Sequence, residues 1–232
     1  DQADGVVIYS IQPIGPDPLS CAGPPFYLEV NIVNCNPVIG VAKQLVNVTN
    51  NGNGTHDVKF NIRVQNYGNV QLYDIQVSED LDNIFGSDNY EVLELYSTSF
   101  DVNMNYTGTQ PDTLLLDNEG TSNILAIGAS TNIVLNLRIL SAGEYENSVF
   151  ARAESLAGTV TDTSQNGSDP DPDGDKDPTN NNDPTPVSFD DCILSIECPA
   201  GSPYEFYVTP GYCGYLVPDN SLDATAQTNC DL

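Results

Sequence analysis

Apolar and polar residues alternate along much of the chain with a period of two, which predicts β-strands with one solvated face. In "HDVKFNIRVQN", Val58, Phe60, Ile62 and Val64 share one face while polar residues occupy the other. Two more stretches alternate in the same way, with apolar positions Ile133, Leu135, Leu137, Ile139 and Val149, Ala151, Ala153. Further strands are predicted for "VIGVAKQLVNV", "VQLYDIQVSE" and "YEVLELYST", which are rich in β-branched and aromatic residues.

Turn signals separate these strands, among them "NNGNGT", "NYGN", "GSDN", "DNEG" and "SAGE". No stretch carries a helical stripe of normal length, and "DLDNIFG" forms at most one helical turn. Many short strands with regular turns predict an all-β fold, an antiparallel β-sandwich.

The chain divides into three sections. Residues 37–187 hold the strand-rich body, residues 1–36 form a short β segment, and residues 188–232 form a tail. The end sections carry apolar runs such as "GVVIYSI", "FYLEVNIV" and "CILSIEC", yet neither is long enough for a core of its own. They could pack on each other or on the body. We favour a third arrangement, in which the tail of one subunit adds a strand to the start of the next and builds a filament.

Charge narrows the range of partners. The chain has 33 acidic and 6 basic residues, a net charge of −27, which repels phosphate backbones and anionic lipids. We therefore expect neither nucleic-acid binding nor membrane insertion. The same charge opposes compaction unless cations offset it.

Cysteine usage indicates an oxidising compartment. The six cysteines form no CxxC pair and lie in the two end sections, at Cys21, Cys35, Cys192, Cys198, Cys213 and Cys230. An even count in this acidic chain favours disulfides over a zinc site. We expect Cys21 to pair with Cys35 and the tail cysteines to pair among themselves, in an order that the sequence leaves open.

The body from Pro37 to Pro186 resembles a known bacterial family. The stretch "VAKQLVNVTNNGNGTHDVKFNIRVQNYGNVQLYDIQVSEDL" is similar to the conserved-repeat domain of unknown function, number eleven in its series. The positions that match its pattern are Lys43, Asn66, Gly68, Asn69, Leu72, Ile75, Val77, Asp80 and Leu81. The tail "CILSIECPAGSPYEFYVTPGYCGYLVP" more weakly resembles the start of a hyalin-type repeat, which is also Ig-like and adhesive.

The first resemblance implies an Ig-like sandwich of the kind found in tandem in very large secreted surface proteins of Gram-negative bacteria. Its implied role is a stalk, spacer or adhesin segment. Some adhesive Ig-like domains join a lysine such as Lys43 to an asparagine by an isopeptide bond. Because lysine is seldom buried without a partner, we expect Lys43 to be an ordinary exposed side chain.

The loop "SDPDPDGDKDPTNNNDPTP" carries the clearest candidate chemistry. Calcium takes six to eight oxygen ligands, which alternating aspartates around a sharp glycine turn can supply. Here Gly174 allows the turn, and the candidate ligands are Asp169, Asp171, Asp173, Asp175 and Asp177. Asp162, Asn180 and Asp183 are candidates for further ligands. The flanks are not helical and the twelfth position is Asn180 rather than Glu, so the loop is no EF-hand. The other interpretation is a solvated acidic linker.

Other candidate sites are weaker. Thr113 lies in an Asp-Thr-Leu triplet that matches a bacterial O-glycosylation pattern, although a plain loop threonine is the simpler interpretation. His56, the single histidine, is expected on the surface. Because the chain has no recognisable catalytic motif, we do not expect an enzyme.

Together these features predict a structural or adhesive segment of an extracellular bacterial surface protein, stabilised by calcium and disulfides. Its expected partners are neighbouring copies or domains of the same protein, with surface glycans as a further possibility. The alternative is a carbohydrate-binding module attached to an exported enzyme. The absence of Trp weighs against that alternative, since Trp offers the largest stacking face.

Overall fold

The computed structural model describes residues 5–14, 22–32, 34–117, 123–189, 194–197, 210–211 and 224–228. Nearly all of the regular structure is β. The strands are β1 Gly5–Ile11, β2 Phe26–Ile32, β3 Ile39–Asn50, β4 His56–Asn66, β5 Tyr73–Ser78, β6 Tyr90–Ser97, β7 Ser130–Ile139, β8 Gly143–Asn147, β9 Phe150–Ser155, β10 Gly158–Thr163, β11 Gln165–Asn166, β12 Thr185–Phe189, β13 Leu194–Glu197 and β14 Thr225–Thr228. One helical turn, α1 (Leu81–Phe85), lies where "DLDNIFG" predicted it.

The body is built from two main sheets. Five strands form the larger one in the order β11-β3-β4-β7-β6, and three form the smaller one in the order β10-β9-β5. β12 pairs with β8 in a further two-stranded sheet. All of these pairings are antiparallel except that of β11, which runs parallel to β3. The antiparallel prediction is therefore wrong for this two-residue edge strand.

One hydrophobic core fills the space between the sheets. The apolar faces predicted for β4, β7 and β9 are confirmed, since all of their predicted core positions are buried. Ile75 and Val77 of β5 and Val187 of β12 contribute from the other strands. The predicted all-β, Ig-like sandwich is confirmed by this arrangement.

Strand β3 is unusual because its first half is buried on both faces. Val41 points into the core, while an added Cβ at Gly40 would meet Tyr67, Pro170 and Pro178 within 3 Å. The aspartate-rich loop thus crosses the outer face of the first body strand. This packing connects the last loop of the body to its first strand.

The end sections each pair within themselves. β1 pairs with β2, and β13 pairs with β14. The β1–β2 sheet exposes large apolar residues, including Ile8, Tyr9, Phe26 and Tyr27. The runs "EFYVT" and "YLVP" lie outside the described residues.

The turn after β4 depends on one buried amide. The Asn66 side chain is fully buried; its Nδ2 donates to the Val70 carbonyl at 2.8 Å and to the Leu125 carbonyl at 3.2 Å, and its Oδ1 accepts from Gly68 N at 2.9 Å. Gly68 leaves no room for a Cβ, which would lie 2.5 Å from the Asn36 carbonyl oxygen.

We expect Asn66→Ala to cost about 2 kcal/mol of unfolding free energy, because it leaves these backbone groups without their partner. Urea unfolding measures the loss. The control is Asn61→Ala on the polar face of the same strand, which should cost much less. Equal losses in both variants would contradict this role for Asn66.

Candidate functional site

The aspartate-rich loop brings three of its five candidate ligands together. One carboxylate oxygen from each of Asp171, Asp173 and Asp175 lies within 4.8 Å of the others. Gly174 has a φ of 74°, in the left-handed region that glycine adopts without strain, and its N–H donates to the Asp171 carbonyl at 3.2 Å. The sharp bend therefore brings together three of the five alternating carboxylates, and metal binding by them stays a prediction.

Asp171 is the anchor of this group. The residue is only 6% exposed. Its Oδ2 accepts from Lys176 N at 3.0 Å, while its Oδ1 is buried and has no hydrogen-bond partner among the described residues. Burial raises the pKa of Asp171, and the neighbouring charges of Asp173 and Asp175 raise it further. A hard cation would satisfy this oxygen and offset the repulsion, so these residues could hold a metal ion, calcium among others.

The other two predicted ligands hold the loop rather than join the group. Asp169 accepts from the Tyr67 hydroxyl at 3.2 Å. This contact adds to burial in raising the pKa of Tyr67. Asp177 caps the short 3-10 turn at Pro178–Asn180 by accepting from Thr179 N.

The suggested additional ligands also lie outside the three-carboxylate group. Asn180 Nδ2 donates to Asp175 Oδ2 at 2.9 Å, and Asp183 Oδ2 accepts from Gln165 Nε2 at 3.4 Å. Asp162 is buried in β10, where its Oδ2 accepts from Val41 N at 2.6 Å and its Oδ1 has no partner. Burial raises the pKa of Asp162 to about 7.

A second polar cluster lies inside the core, and the sequence analysis missed it. Lys43 of β3 is fully buried, so the prediction of an exposed lysine is wrong. Its Nζ donates to Glu79 Oε1 and, at 2.8 Å, to Asn147 Oδ1. The same Nζ lies 4.5 Å from the centre of the Phe60 ring. Burial lowers the pKa of Lys43, against the opposing effect of Glu79.

Two atoms of this cluster have no hydrogen-bond partner in the part of the chain that the structure describes. They are Glu79 Oε2 and Asn147 Nδ2, and both are buried. Asn147 ends β8, opposite Thr185 of β12. The Thr185 hydroxyl in turn donates to the Lys43 carbonyl at 2.7 Å. The cluster thus joins the first body strand to two of the last ones.

The remaining candidate residues are scattered. Thr113 is a loop residue, only 9% exposed, and its glycosylation stays a prediction. Cys35 is exposed and forms no disulfide within the described residues, and the other five cysteines lie outside them, so the disulfide pairing stays a prediction as well. His56 is buried and stacks on Phe189 with ring centres 4.7 Å apart, so its predicted surface location is wrong.

Comparisons with known proteins add little beyond the fold. No family model and no curated protein matches the chain. Among solved structures, an inactive mutant of a GH20 exo-β-N-acetylglucosaminidase from Vibrio harveyi aligns with a TM-score of 0.34 and 10% identity, over 56% of this chain and 18% of that chain. The N-terminal domain of PorA aligns with a TM-score of 0.24 and 11% identity, over 56% of this chain and 97% of that domain.

A third alignment is with PapD-like domain 7 of human CEP192, at a TM-score of 0.21 and 10% identity, over 56% of this chain and 85% of that one. At these TM-scores the alignments say nothing about activity, ligands or partners. In the part of the chain that the structure describes, no helix is long and apolar enough to cross a membrane.

Proposed function

We propose that this chain is a structural spacer segment of a secreted, multidomain bacterial surface protein, and that calcium stiffens it. The observation that carries the proposal is the buried, unpartnered Asp171 oxygen within a group of three carboxylates. A loop that merely linked two domains would have no reason to bury an aspartate in this way.

The position of the loop supports a mechanical role. It packs across the outer face of β3 at Gly40, and β3 is the first strand of the body. Calcium bound there would fix the end of the body to its beginning. The high negative charge of the chain also makes a bound cation stabilising.

Calcium titration tests this proposal. We expect a dissociation constant of about 10⁻⁴ to 10⁻³ M, in the range of extracellular modules. At ten times that concentration, linkage predicts a gain of about 1.4 kcal/mol in unfolding free energy and a higher melting temperature. Calorimetric titration and thermal melts, with calcium or with chelator, measure both quantities.

Matched variants sharpen the test. Asp173→Asn removes one exposed carboxylate of the group and should weaken calcium binding without unfolding the chain. Asp88→Asn removes an exposed charge elsewhere and should leave binding unchanged. The proposed site is contradicted if calcium does not change the melting temperature of the unmodified chain, or if both variants bind calcium with equal affinity.

The end sections supply the proposed contacts with neighbouring copies. The β1–β2 sheet exposes apolar side chains, and its edges pair with no other described strand, which favours pairing with strands of another chain. In our proposal the tail of the next subunit covers them, head to tail. Light scattering at rising protein concentration, with calcium present, should show growing assemblies. A constant monomer would count against this contact.

The alternative of a carbohydrate-binding module finds less support. Stacking on sugars needs an aromatic platform. The residues that line a groove on the outer face of the large sheet are six polar residues with Val58 and Leu93, and none of these eight is aromatic. On the β1–β2 sheet the exposed Tyr27 lies on the face opposite to that of Tyr9 and Phe26, because Tyr27 is opposite Ser10 while Phe26 is opposite Ile11.

A further inference from the structure

The core cluster around Lys43 has the composition and geometry of a reaction centre. An amine, a carboxyl group and a primary amide meet in the core, where the exposed fractions of Lys43, Glu79 and Asn147 are 0%, 3% and 0%. The 2.8 Å contact from Lys43 Nζ to Asn147 Oδ1 places the amine directly beside the amide carbonyl. This contact holds the amine next to the amide group whose carbon it would attack.

We propose that Lys43 and Asn147 join in an intramolecular isopeptide bond, with Glu79 as the proton-transfer group. The bond would connect β3 to the end of β8, residues that are 104 positions apart in sequence. It would close the body covalently, independently of the calcium loop. The outcome of its test therefore does not bear on the calcium proposal.

The chemistry balances with groups that the chain itself supplies. The ammonium proton of Lys43 passes to Glu79, which leaves a neutral amine and a neutral acid. The amine lone pair forms the Nζ–Cγ bond, Glu79 protonates Nδ2, and the carboxylate takes a proton from Nζ. The Cγ–Nδ2 bond breaks, ammonia leaves, and Glu79 is again protonated. No oxidant, reductant or cofactor is needed.

The surroundings favour this step over a permanent ion pair. Burial lowers the pKa of Lys43 and so favours the neutral, nucleophilic amine. The leaving nitrogen, Asn147 Nδ2, is buried without a hydrogen bond, so its release removes an unsatisfied donor from the core. The Phe60 ring covers Nζ and limits access of water.

The orientation of the Asn147 amide is fixed by its neighbour. Before the proton passes to Glu79, the Lys43 ammonium offers only donors, so the amide turns its oxygen toward the lysine. This orientation is the one that leaves Nδ2 free to depart. A buried salt bridge alone would not explain why a primary amide completes the cluster with its own donor unsatisfied.

Mass spectrometry of the full chain tests the proposal. After disulfide reduction and denaturation, we expect an intact mass lower than the sequence mass by one molecule of ammonia. Trypsin should no longer cleave after Lys43. The peptide spanning 1–59 should then remain attached to the peptide spanning 139–152, as a branched species identified by fragmentation.

Variants assign the roles. Asn147→Ala and Glu79→Ala should each restore the full mass and free the peptide that ends at Lys43, whereas Lys59→Ala should retain the branch. If the core variants fail to fold, the presence or absence of the branched peptide in the unmodified chain still shows whether the bond forms. Full mass with separate peptides would overturn the proposal. Loss of ammonia without a branched peptide would also overturn it, because succinimide formation at an Asn-Gly pair such as Asn51-Gly52 produces the same mass change. A branch in Glu79→Ala would overturn the role of Glu79.

Discussion

Lys43→Ala should lower the unfolding free energy by about 3 to 5 kcal/mol, the usual cost of removing one partner of a buried ion pair. The loss has two sources. Glu79 would remain in the core without its cation, and the space beside Phe60 would lose the lysine stem. Where the Lys43–Asn147 bond has formed, Lys43 carries no charge, and the loss comes instead from the missing covalent link and from the lost packing of the lysine stem. Urea unfolding monitored by circular dichroism measures the difference.

The control is Lys59→Ala, on the neighbouring strand β4 at a half-buried position without a buried partner among the described contacts. That variant should change stability by less than about 0.5 kcal/mol, as surface substitutions generally do. The double variant Lys43→Met with Glu79→Leu should be less destabilised than the sum of the single losses, since it leaves no unpaired buried charge. Similar losses for Lys43→Ala and Lys59→Ala would show that the buried pair contributes little.

The sequence contained the information that Lys43 is buried, but not its partners. Lys43 has the same period-two phase as Val41 and Leu45, so the alternation alone assigns it to the apolar face. Because buried lysines are rare, the residue type favoured an exposed position, and that prediction is wrong. The predicted surface position of His56 is wrong in the same way, since His56 continues the phase of Val58 and Phe60 in β4.

Glu79 and Asn147 also continue apolar phases, those of Val77 in β5 and Val149 next to β9. Polar residues that continue the apolar phase of three separate strands indicate, from the sequence alone, that polar groups are buried in the core. Their meeting could not be predicted, because it depends on how the sheets pack and on which strands neighbour one another. That arrangement arises from long-range contacts rather than from local pattern.

For the aspartate loop, the sequence was more informative about which residues come together than it was for the Lys43 cluster. Its regular spacing and Gly174 predicted a ligand group, because local sequence determines how a tight loop arranges its carboxylates. The sequence could not distinguish the members of that group, Asp171, Asp173 and Asp175, from those that hold the loop. Asp169 takes that second role through Tyr67, whose position follows from tertiary packing, and Asp177 takes it by capping the local turn at Thr179.

Asp162→Asn should stabilise the chain at neutral pH. The buried Asp162 carboxyl has a pKa raised to about 7, from an ordinary value of 3.8, because burial disfavours its charged form. Asparagine keeps an acceptor for the Val41 N–H and cannot ionise. The wild-type carboxyl therefore imposes a cost at neutral pH that the variant does not have.

The sign of the pH dependence follows from linkage. Below about pH 4 Asp162 is protonated in both states, so wild type and Asp162→Asn should be equally stable. Between about pH 4 and 7 the unfolded state has lost this proton while the folded state retains it, so wild-type stability falls relative to the variant. Above pH 7 the difference should be constant, at about 2 to 4 kcal/mol, the lower end allowing for solvent screening.

Urea midpoints of both proteins between pH 4 and 8, with chelator present, measure this difference while the effects of the other carboxylates cancel.

Asp57→Asn is the matched control of opposite sign. Hydrogen bonding to Arg138 lowers the pKa of Asp57, so its ionised form stabilises the folded state above the unfolded pKa. That variant should be less stable than wild type at neutral pH, and the gap should close as the pH falls below about 4. Stability curves for wild type and Asp162→Asn that stay parallel from pH 4 to 8 would contradict the raised pKa, and with it the conclusion that an unsatisfied carboxyl lies beneath the start of β3.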